Sequence, residues 1–437
     1  MNVDEKIENI KNGTNEYDVG KIVSIKDFVA EVVGLDNAFF YEKITFVDRG
    51  VGYVTKINPS SVTVAILDLN SQLVIGDAVY RTNEIYTGKF SNEAFGRMIN
   101  MFGKNPVNEK AYENTISIPI EEENIPIMDR ISVNEPLETG ITGIDMMYPI
   151  GKGQRQLIIG DKKTGKTQLA LDAIVNQKGK NMVCIYCAIG KTMKEVKSIY
   201  YDLIKRDAMP YTIIIPAFND DRVPTLVLTP YYALSVARKY MEGGYNVLVV
   251  LDDLKRHADA HREISLISGK NPGRDAYSSD IFYLHSRLLE RGLRYKNGAS
   301  VTILPIVETK GGDITDYIST NIISITDGQI VLSAKNFQKG QKPAIDYGLS
   351  VSRLGGAVQT PEMKVAGTKV RRKLLSYLET ASVYELSNQD DLSDALKKSM
   401  VEGKTILDNL KQPKFTPFTK EEMLEKFKFL GEENGEH

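Results

Sequence analysis

A glycine-rich segment near the middle of the chain has the residue types and spacing of a phosphate-binding loop. It reads Gly160-Asp-Lys-Lys-Thr-Gly-Lys-Thr167 and fits the pattern G-x-x-x-x-G-K-[ST]. In this pattern, backbone N–H groups surround the β-phosphate of a nucleoside triphosphate, the lysine reaches the outer phosphates and the last hydroxyl binds Mg²⁺. We therefore predict nucleotide binding by all eight residues, which are Gly160, Asp161, Lys162, Lys163, Thr164, Gly165, Lys166 and Thr167.

The segments around this loop predict the elements that such a site requires. Residues 156–159 form a short apolar run typical of a buried strand, and residues 167–175 have the apolar spacing of a helix. A second apolar run at 247–251 ends at Asp252, which we predict to be the carboxylate on the metal side. Thr167 and Asp252 are thus the predicted Mg²⁺ residues, acting through the hydroxyl and a metal-bound water. Asp253 is either a helix cap or an interface residue.

Composition limits the class of protein. The chain has 437 residues, of which 42% are hydrophobic and 26% charged, as expected for a globular protein of two or three domains. No apolar run approaches the roughly 20 residues that cross a bilayer, and the first residues are polar. We therefore expect a cytoplasmic protein. The net charge of −2 gives no argument for a nucleic-acid partner.

Two pairs of possible metal ligands are weak candidates. Cys184 and Cys187 lie in an apolar, strand-like run with no second cysteine pair, so buried packing is the favoured role. His257 and His261 are one helical turn apart but have no evident third ligand. Neither pair predicts a metal site.

The pattern of the chain divides it into four parts. Residues 1–16 form a short N-terminal arm, and 17–85 alternate apolar and polar positions over short spans, which predicts a small β-barrel or sandwich. Residues 86–364 alternate apolar runs with amphipathic segments and predict a parallel sheet covered by helices, whereas 365–437 have helical periodicity. The candidate strands of the sheet are 156–159, 183–188, 211–215, 247–251, 301–307 and 322–325.

Four segments make the chain resemble the alpha subunit of F-type rotary ATP synthases. They are residues 149–161, 280–291, 323–330 and 348–355, and the resemblance extends over roughly residues 17 to 420. It implies a multidomain fold with an N-terminal β-barrel, a RecA-like P-loop domain with a mostly parallel sheet, and a C-terminal helical domain.

The same resemblance implies partners and a place in the cell. Alpha-type subunits alternate with catalytic beta-type subunits in a ring of six around a central gamma-type stalk, and they hold ATP or ADP with Mg²⁺ without turning it over. Such a ring lies against the cytoplasmic face of a membrane, where a rotor is attached. Nucleic acid is not among the implied partners.

Lys191 occupies a position that separates the two kinds of subunit in this family. Catalytic subunits have a glutamate after the glycine that ends the second core strand, and alpha subunits usually have a glutamine. This chain has Gly190-Lys191. A charged lysine cannot accept a proton from water, so the site is predicted to bind nucleotide without cleaving it. Lys191 itself either pairs with the γ-phosphate or is a solvated surface lysine.

Arg353, in the segment Ser350-Val-Ser-Arg353, matches the arginine that alpha subunits of the family extend into the neighbouring catalytic site. A planar, permanently charged guanidinium can stabilise the charge that spreads over a transferring phosphoryl group. The resemblance therefore implies that Arg353 is an arginine finger acting on a beta-type neighbour.

The adenine end of the site departs from the family pattern. Family members close over the base with an arginine–proline step and two glutamines, where this chain has Lys342-Pro343 and Gln412-Pro-Lys414. Lys342, Pro343 and Gln412 are predicted to contact the nucleotide, and the two lysines leave the base selectivity open.

Other functions remain open from the sequence. The short arm is compatible with a specialised or duplicated subunit whose motor does work other than proton transport. An autonomous ring ATPase is the main alternative, and Lys191 argues against it. A nucleic-acid translocase is a further alternative, but the predicted barrel of this chain lacks the interleaved basic and aromatic residues that single-strand binding needs. A purely structural ring member would not need Lys166, Thr167 and Asp252.

Overall fold

The computed structural model describes residues 19–47, 49–384 and 394–430. In that part of the chain a closed β-barrel is followed by a mostly parallel sheet with helices and then by a helical region, which confirms the predicted fold class. The arm predicted at 1–16 lies outside the described residues, as do residues 431–437 of the predicted helical domain.

Six antiparallel strands close the barrel in the order β1-β2-β5-β4-β3-β6. The strands are β1 (Val19–Lys26), β2 (Val29–Val33), β3 (Glu42–Phe46), β4 (Gly50–Ile57), β5 (Val62–Leu69) and β6 (Ala78–Ile85). Val64 on β5 lies in the barrel core, whereas Ala65 and Leu67 pack in the core of the sheet domain. Because successive residues of a strand point to opposite faces, β5 joins the two cores and fixes the barrel to the rest of the molecule.

Strand β3 was not predicted from the sequence. Its first residue, Glu42, is completely buried and interrupts the alternation of apolar side chains. Arg81 on β6 pairs with it at 3.0 Å, and the backbone N–H of Asn83 donates to it at 3.0 Å. A charge can occupy this core position because its hydrogen bonds are made within the barrel.

Two short two-stranded sheets connect the barrel to the central domain, and they consist of β7 (Thr87–Phe90) with β8 (Ile116–Pro119) and β9 (Pro136–Leu137) with β10 (Ile150–Gly151).

The central sheet has the order β13-β12-β14-β16-β11-β17-β18, with β15 paired to β16 outside this path. Its strands are β11 (Leu157–Asp161), β12 (Met182–Lys191), β13 (Thr212–Phe218), β14 (Asn246–Asp252), β15 (Leu293–Arg294), β16 (Ser300–Thr309), β17 (Gly328–Leu332) and β18 (Val351–Ser352). The pairs from β13 to β17 are parallel, while β15 and β18 are antiparallel edges. The carboxyl ends of β11, β12, β14 and β16 therefore meet at one edge, where ligands bind in open α/β sheets.

The helices of the barrel-to-sheet connection and of the sheet domain are α1 (Thr142–Met147), α2 (Lys166–Val175), α3 (Met193–Ile204), α4 (Val223–Glu242), α5 (Leu254–Ile267), α6 (Ile281–Leu289), α7 (Tyr317–Ile325) and α8 (Ala334–Gln338). Within the described ranges, no helix has the length and apolar character needed to cross a bilayer.

The strand predicted at 322–325 is wrong, because these residues form the last part of helix α7. Asp316 caps this helix, and its carboxylate accepts hydrogen bonds from the N–H groups of Ile318 and Ser319 at 3.0 Å. Ile318 and Ile322, one turn apart, are both completely buried. The apolar, β-branched run was interpreted as a strand, but capping and the i, i+4 spacing favour a helix. The strand at this place in the sheet is β17.

The C-terminal region consists of α9 (Pro361–Tyr384), α10 (Asp394–Asn409) and α11 (Lys420–Lys426). Val370 and Leu374 of α9 are buried one turn apart, as the predicted period requires. They share a hydrophobic core with the sheet domain. The segment between α10 and α11 runs along the nucleotide-loop side of the sheet domain and contributes Gln412 to the site.

Candidate nucleotide-binding site

The glycine-rich loop connects the carboxyl end of β11 to the first turn of α2. Gly165 precedes the helix with φ of 100°, a left-handed conformation that strongly favours glycine. A Cβ atom on Gly160 would lie 2.4 Å from the carbonyl oxygen of Leu332, so that a side chain does not fit there. Both glycines of the motif are therefore required by the backbone path, which directs the N-terminus of α2 toward the loop.

Lys166 is 7% exposed and lies at the start of α2. Its Nζ donates to the carbonyl oxygen of Asp161 at 2.6 Å, within the loop itself. Burial lowers the pKa of Lys166, although nearby carboxylates oppose the shift. The ammonium group is thus positioned at the centre of the loop with a protein carbonyl as its partner.

Both carboxylate oxygens of Asp252 have partners within the protein. Its Oδ2 accepts hydrogen bonds from the hydroxyl of Thr167 at 2.6 Å and from that of Tyr186 at 2.7 Å. Its Oδ1 lies 2.9 Å from Nζ of Lys191. The structure therefore brings together Thr167, Asp252 and Lys191, which come from three separate predicted segments, and adds Tyr186. Tyr186 was not predicted, because it lies in an apolar run whose pattern indicates core packing.

Lys191 is the last residue of β12, and its side chain is 18% exposed. Burial lowers the pKa of Lys191, but the negative charge and hydrogen bond of Asp252 raise it more, so that the pKa lies above its ordinary value. The side chain is therefore a charged partner of Asp252 and not a solvated surface lysine.

Besides Asp252 and Asp172 of α2, three further carboxylates line the cavity. Asp253 caps α5 by accepting from the N–H of Arg256 at 2.8 Å, and burial together with the charge of Asp252 raises its pKa to about 6. Glu195 accepts from the N–H and hydroxyl of Thr192 in a capping box at the start of α3. Of the two roles predicted for Asp253, the structure thus confirms that of a helix cap.

Glu308 is the third carboxylate, and it was missed from the sequence. It lies near the carboxyl end of β16, in register with Gly160 on the neighbouring strand β11, and is half-buried. The signal for it was an acid directly after the apolar run 301–307, the same signal that identified Asp252.

A cavity of about 1090 Å³ extends from the loop to the segment between α10 and α11. Seven lysines contribute to its walls, which makes it suited to an anionic ligand with several phosphates; they are Lys162, Lys163, Lys166, Lys191, Lys342, Lys411 and Lys414. Pro343 and Gln412 line the end away from the loop. With the exception of Gly160 and Asp161, all of the residues predicted to bind the nucleotide thus line this one cavity.

Gln412 uses its whole amide group inside the protein. Its Oε1 accepts from the N–H and the hydroxyl of Thr142 at 3.0 and 3.2 Å, and its Nε2 donates to the carbonyls of Gly140 and Thr416 at 2.7 Å each. The side chain is 8% exposed. Its main physical role is to fasten the C-terminal region to the start of α1.

Two lysines at the same end lie over aromatic rings. Nζ of Lys342 is 5.0 Å from the ring centre of Phe337, and Nζ of Lys414 is 6.0 Å from that of Phe415. The N–H of Phe415 donates to the carboxylate of Asp172 on α2 at 2.8 Å. The end of the cavity away from the loop is therefore built from two regions that contact each other directly.

Arg353 lies elsewhere, immediately after the edge strand β18. Its backbone N–H donates to the carbonyl of Asp327 at 2.9 Å, while its guanidinium reaches the carbonyl of Ile323 at 3.5 Å. The residue is exposed and does not belong to the lining of the 1090 Å³ cavity. Leu349 and Val351 beside it are exposed apolar residues.

The weak metal candidates have ordinary packing roles. Cys184 and Cys187 are buried free thiols. Nε2 of the buried His257 lies 3.1 Å from the carbonyl of Val227, and His261 contacts Asp280 at 3.0 Å. Within residues 19–47, 49–384 and 394–430 there is no group of three or more His, Cys, Asp or Glu that could hold a metal ion.

Comparisons with known proteins agree with this architecture. The sequence model of the ATP synthase alpha/beta family, nucleotide-binding domain, matches residues 140–352. The chain is 43% identical over 418 residues to an ATP synthase subunit alpha of Clostridium botulinum strain Hall, covering 94% of this chain and 82% of the relative. It is 41% identical to the subunit alpha of Mycoplasma mycoides, covering 95% and 79%, and 42% identical to that of Helicobacter pylori strain G27, covering 95% and 83%.

Proposed function

This chain belongs to the family of ATP synthase alpha subunits, and we propose that it holds ATP or ADP without hydrolysing it while donating Arg353 to a catalytic neighbour. The family makes it a subunit of a rotary ATP synthase. The division of labour within that complex is the proposal.

The contact between Lys191 and Asp252 is the observation that carries this proposal. Hydrolysis needs a carboxylate that orients and polarises the attacking water. At the end of β12, this chain has an ammonium group with a raised pKa, which is 2.9 Å from Asp252 and cannot accept a proton. Asp253 and Glu195 are both engaged as helix caps.

Several other groups of the cavity are suited to nucleotide binding. The loop N–H groups and Lys166 would hold the phosphates, and Lys342 and Pro343 would contact the base end. Thr167 and Asp252 would hold Mg²⁺, because a hydroxyl and a carboxylate oxygen in contact at 2.6 Å are the oxygen ligands that this ion prefers. When bound, Mg²⁺ neutralises charge on the outer phosphate oxygens.

The exposure of Arg353 supports its role toward another subunit. A guanidinium beyond the chain's own cavity, at an edge strand with exposed apolar neighbours, is suited to a protein interface. From that position it would stabilise charge on a phosphoryl group held by a beta-type subunit. The other proposed partners are a gamma-type central stalk and, through it, a membrane rotor, with the complex at the cytoplasmic face of the membrane.

One observation favours a second candidate function, an autonomous ring ATPase. Glu308 lines the cavity beside the loop, and its charge acts on Lys166. If Glu308 could polarise water, the chain would hydrolyse ATP alone. A motor doing work other than proton transport, by contrast, would use the same residues as the first proposal.

Reconstitution distinguishes these functions. We expect the purified chain to bind ATP with negligible steady turnover, and turnover to begin when a beta-type subunit is added. Steady hydrolysis by the chain alone would contradict the proposal and favour Glu308 as a base. Loss of that hydrolysis in Glu308→Gln, with ATP binding retained, would establish the second candidate.

A further inference from the structure

The carboxylate of Asp252 has three donors within the protein. Thr167 and Tyr186 share Oδ2, and the ammonium of Lys191 contacts Oδ1. A carboxylate offers about four lone-pair positions on its two oxygens. Most of the accepting capacity of this side chain is therefore used before any ligand binds, and its charge is compensated by a lysine.

This arrangement matters because Asp252 is the carboxylate on the metal side of the site. A metal-bound water would compete with Lys191 for Oδ1, and the ion pair reduces the negative charge that attracts a divalent cation. An exposed ion pair would give way easily, but Asp252 is 1% exposed and the side chain of Lys191 is 18% exposed. Charged pairs shielded in this way interact strongly.

The backbone holds Lys191 at this position. Strands β12 and β14 pair in parallel with Ala188 opposite Asp252, which brings the end of β12 alongside the carboxylate. The carbonyl of Lys191 accepts from the N–H of Asn219 at 3.1 Å, and Thr192 then caps α3. The backbone of Lys191 is consequently held on both sides of the residue, at the end of a strand, and the ammonium itself is held by Asp252.

An ammonium group has three N–H donors, and in Lys191 one of them is directed at the carboxylate of Asp252. Lys191 and Lys166 both line the cavity, so two ammonium groups are available beside the phosphate loop. A positive charge next to Thr167 and Asp252 occupies the electrostatic place that a metal ion would otherwise fill.

We propose that Lys191 acts as a built-in counter-cation, so that this site binds ATP almost as tightly without Mg²⁺ as with it. The inference rests on the proposed nucleotide-holding function and specifies the ligand further, as metal-free as well as Mg²⁺-bound ATP. Nucleotide occupancy of the subunit would then be insensitive to the concentration of Mg²⁺.

The test is the dissociation constant of ATP for the full chain, measured by calorimetry in excess Mg²⁺ and in excess EDTA. For the unaltered chain we expect the two constants to differ by less than about threefold. In Lys191→Gln, the ratio of the EDTA to the Mg²⁺ constant should rise above about tenfold, because the metal must then supply the missing charge. Lys191→Arg, which keeps the charge, should remain close to the unaltered chain.

Lys194→Gln is the matched control, since it removes the same charge three residues further on, from an exposed position outside the cavity. Its ratio should equal that of the unaltered chain. Thermal unfolding establishes whether each variant is folded. If Lys191→Gln is not folded, the ratios of the dissociation constants of the unaltered chain and of Lys191→Arg still test the inference.

Two outcomes would overturn the inference. One is a loss of ATP affinity of about tenfold or more in EDTA for the unaltered chain, and the other is a ratio in Lys191→Gln equal to that of the unaltered chain. Absence of binding in both solutions would contradict the nucleotide-holding function itself, which separates the two failures.

Discussion

In the nucleotide cavity, the charged groups of Asp252 and Lys191 are paired within the chain, whereas the guanidinium of Arg353 after β18 is exposed. The described part of this one chain contributes the loop, the carboxylates and the residues at the end of the cavity away from the loop. The edge at β18 instead presents a cation beside exposed apolar residues. The contrast supports the proposal that the cavity serves binding by this chain and that Arg353 serves a neighbour.

The largest expected effect is at the exposed edge. Arg353→Ala should lower ATP turnover of the assembled complex by about 10³-fold or more, because arginine fingers contribute 10³ to 10⁵ in rate where they act on a phosphoryl group. Steady-state hydrolysis of complexes with matched subunit composition measures this. Size-exclusion chromatography should show the same assembly for the variant. A decrease in turnover of less than about threefold would contradict the assignment of Arg353 as an arginine finger.

The next effect is in the cavity. Lys166→Ala should weaken ATP binding by the isolated chain about 10- to 100-fold, since it removes a charged donor to the phosphates. Calorimetry measures the affinity, with Lys194→Ala as the exposed control. If the same variant abolished turnover of the assembled complex, this chain's own site would have to be catalytic, which would contradict a cavity that only binds nucleotide.

A third prediction concerns the connection between the C-terminal region and the cavity. Gln412→Ala should lower the free energy of unfolding by about 1–3 kcal/mol, because it leaves the buried N–H of Thr142 without its partner and removes one of the two hydrogen bonds to the carbonyl of Gly140. Denaturant unfolding measures the change. Gln338→Ala, at an exposed position, should change the free energy of unfolding by less than about 0.5 kcal/mol. Equal changes in the two variants would show that the buried hydrogen bonds of Gln412 do not stabilise the fold.

The smallest effect is a pH dependence at α2. Burial raises the pKa of Asp172 to about 6, against the hydrogen bonds from Phe415 and Gln168, which lower it. The folded state therefore binds this proton more tightly than the unfolded state, so its contribution to stability falls as pH rises from about 4 to about 6 and is constant above.

Asp172→Asn removes this dependence and can still accept both hydrogen bonds at one oxygen, because Phe415 and Gln168 both donate to Oδ1. Relative to the unaltered chain, the variant should therefore gain stability between pH 4 and pH 7, on the order of 1 kcal/mol. Denaturant unfolding at the two pH values measures it, and a difference independent of pH would mean that the carboxyl titrates normally.

The residues predicted from the sequence are those whose signal is local. The loop motif is contiguous, and Asp252 and Lys191 each end an apolar run that forms a strand, so that the parallel sheet brings them together. Tyr186 and the bonding of Gln412 depend on contacts between distant segments, which one sequence does not specify. Glu308 carried the same local signal as Asp252 but was not recognised.

The two errors in the fold have different origins. Glu42 interrupts the alternation of β3, and its burial is possible only because Arg81 on another strand pairs with it. The run at 322–325 has strand-like composition, yet the cap at Asp316 and the core-facing spacing in α7 make it a helix. In the first case a tertiary contact overrides the local pattern, whereas in the second a helix cap and helical spacing outweigh the strand preference of β-branched residues.

The fate of bound ATP tests the central claim most directly. The isolated chain is loaded with radiolabelled ATP and Mg²⁺, freed of unbound nucleotide, incubated and quenched with acid, and the bound nucleotide is identified by chromatography. We predict that it is recovered as ATP, in the unaltered chain and in Glu308→Gln alike. Conversion to ADP in the unaltered chain, prevented by Glu308→Gln, would contradict the account and make this polypeptide a catalyst in its own right.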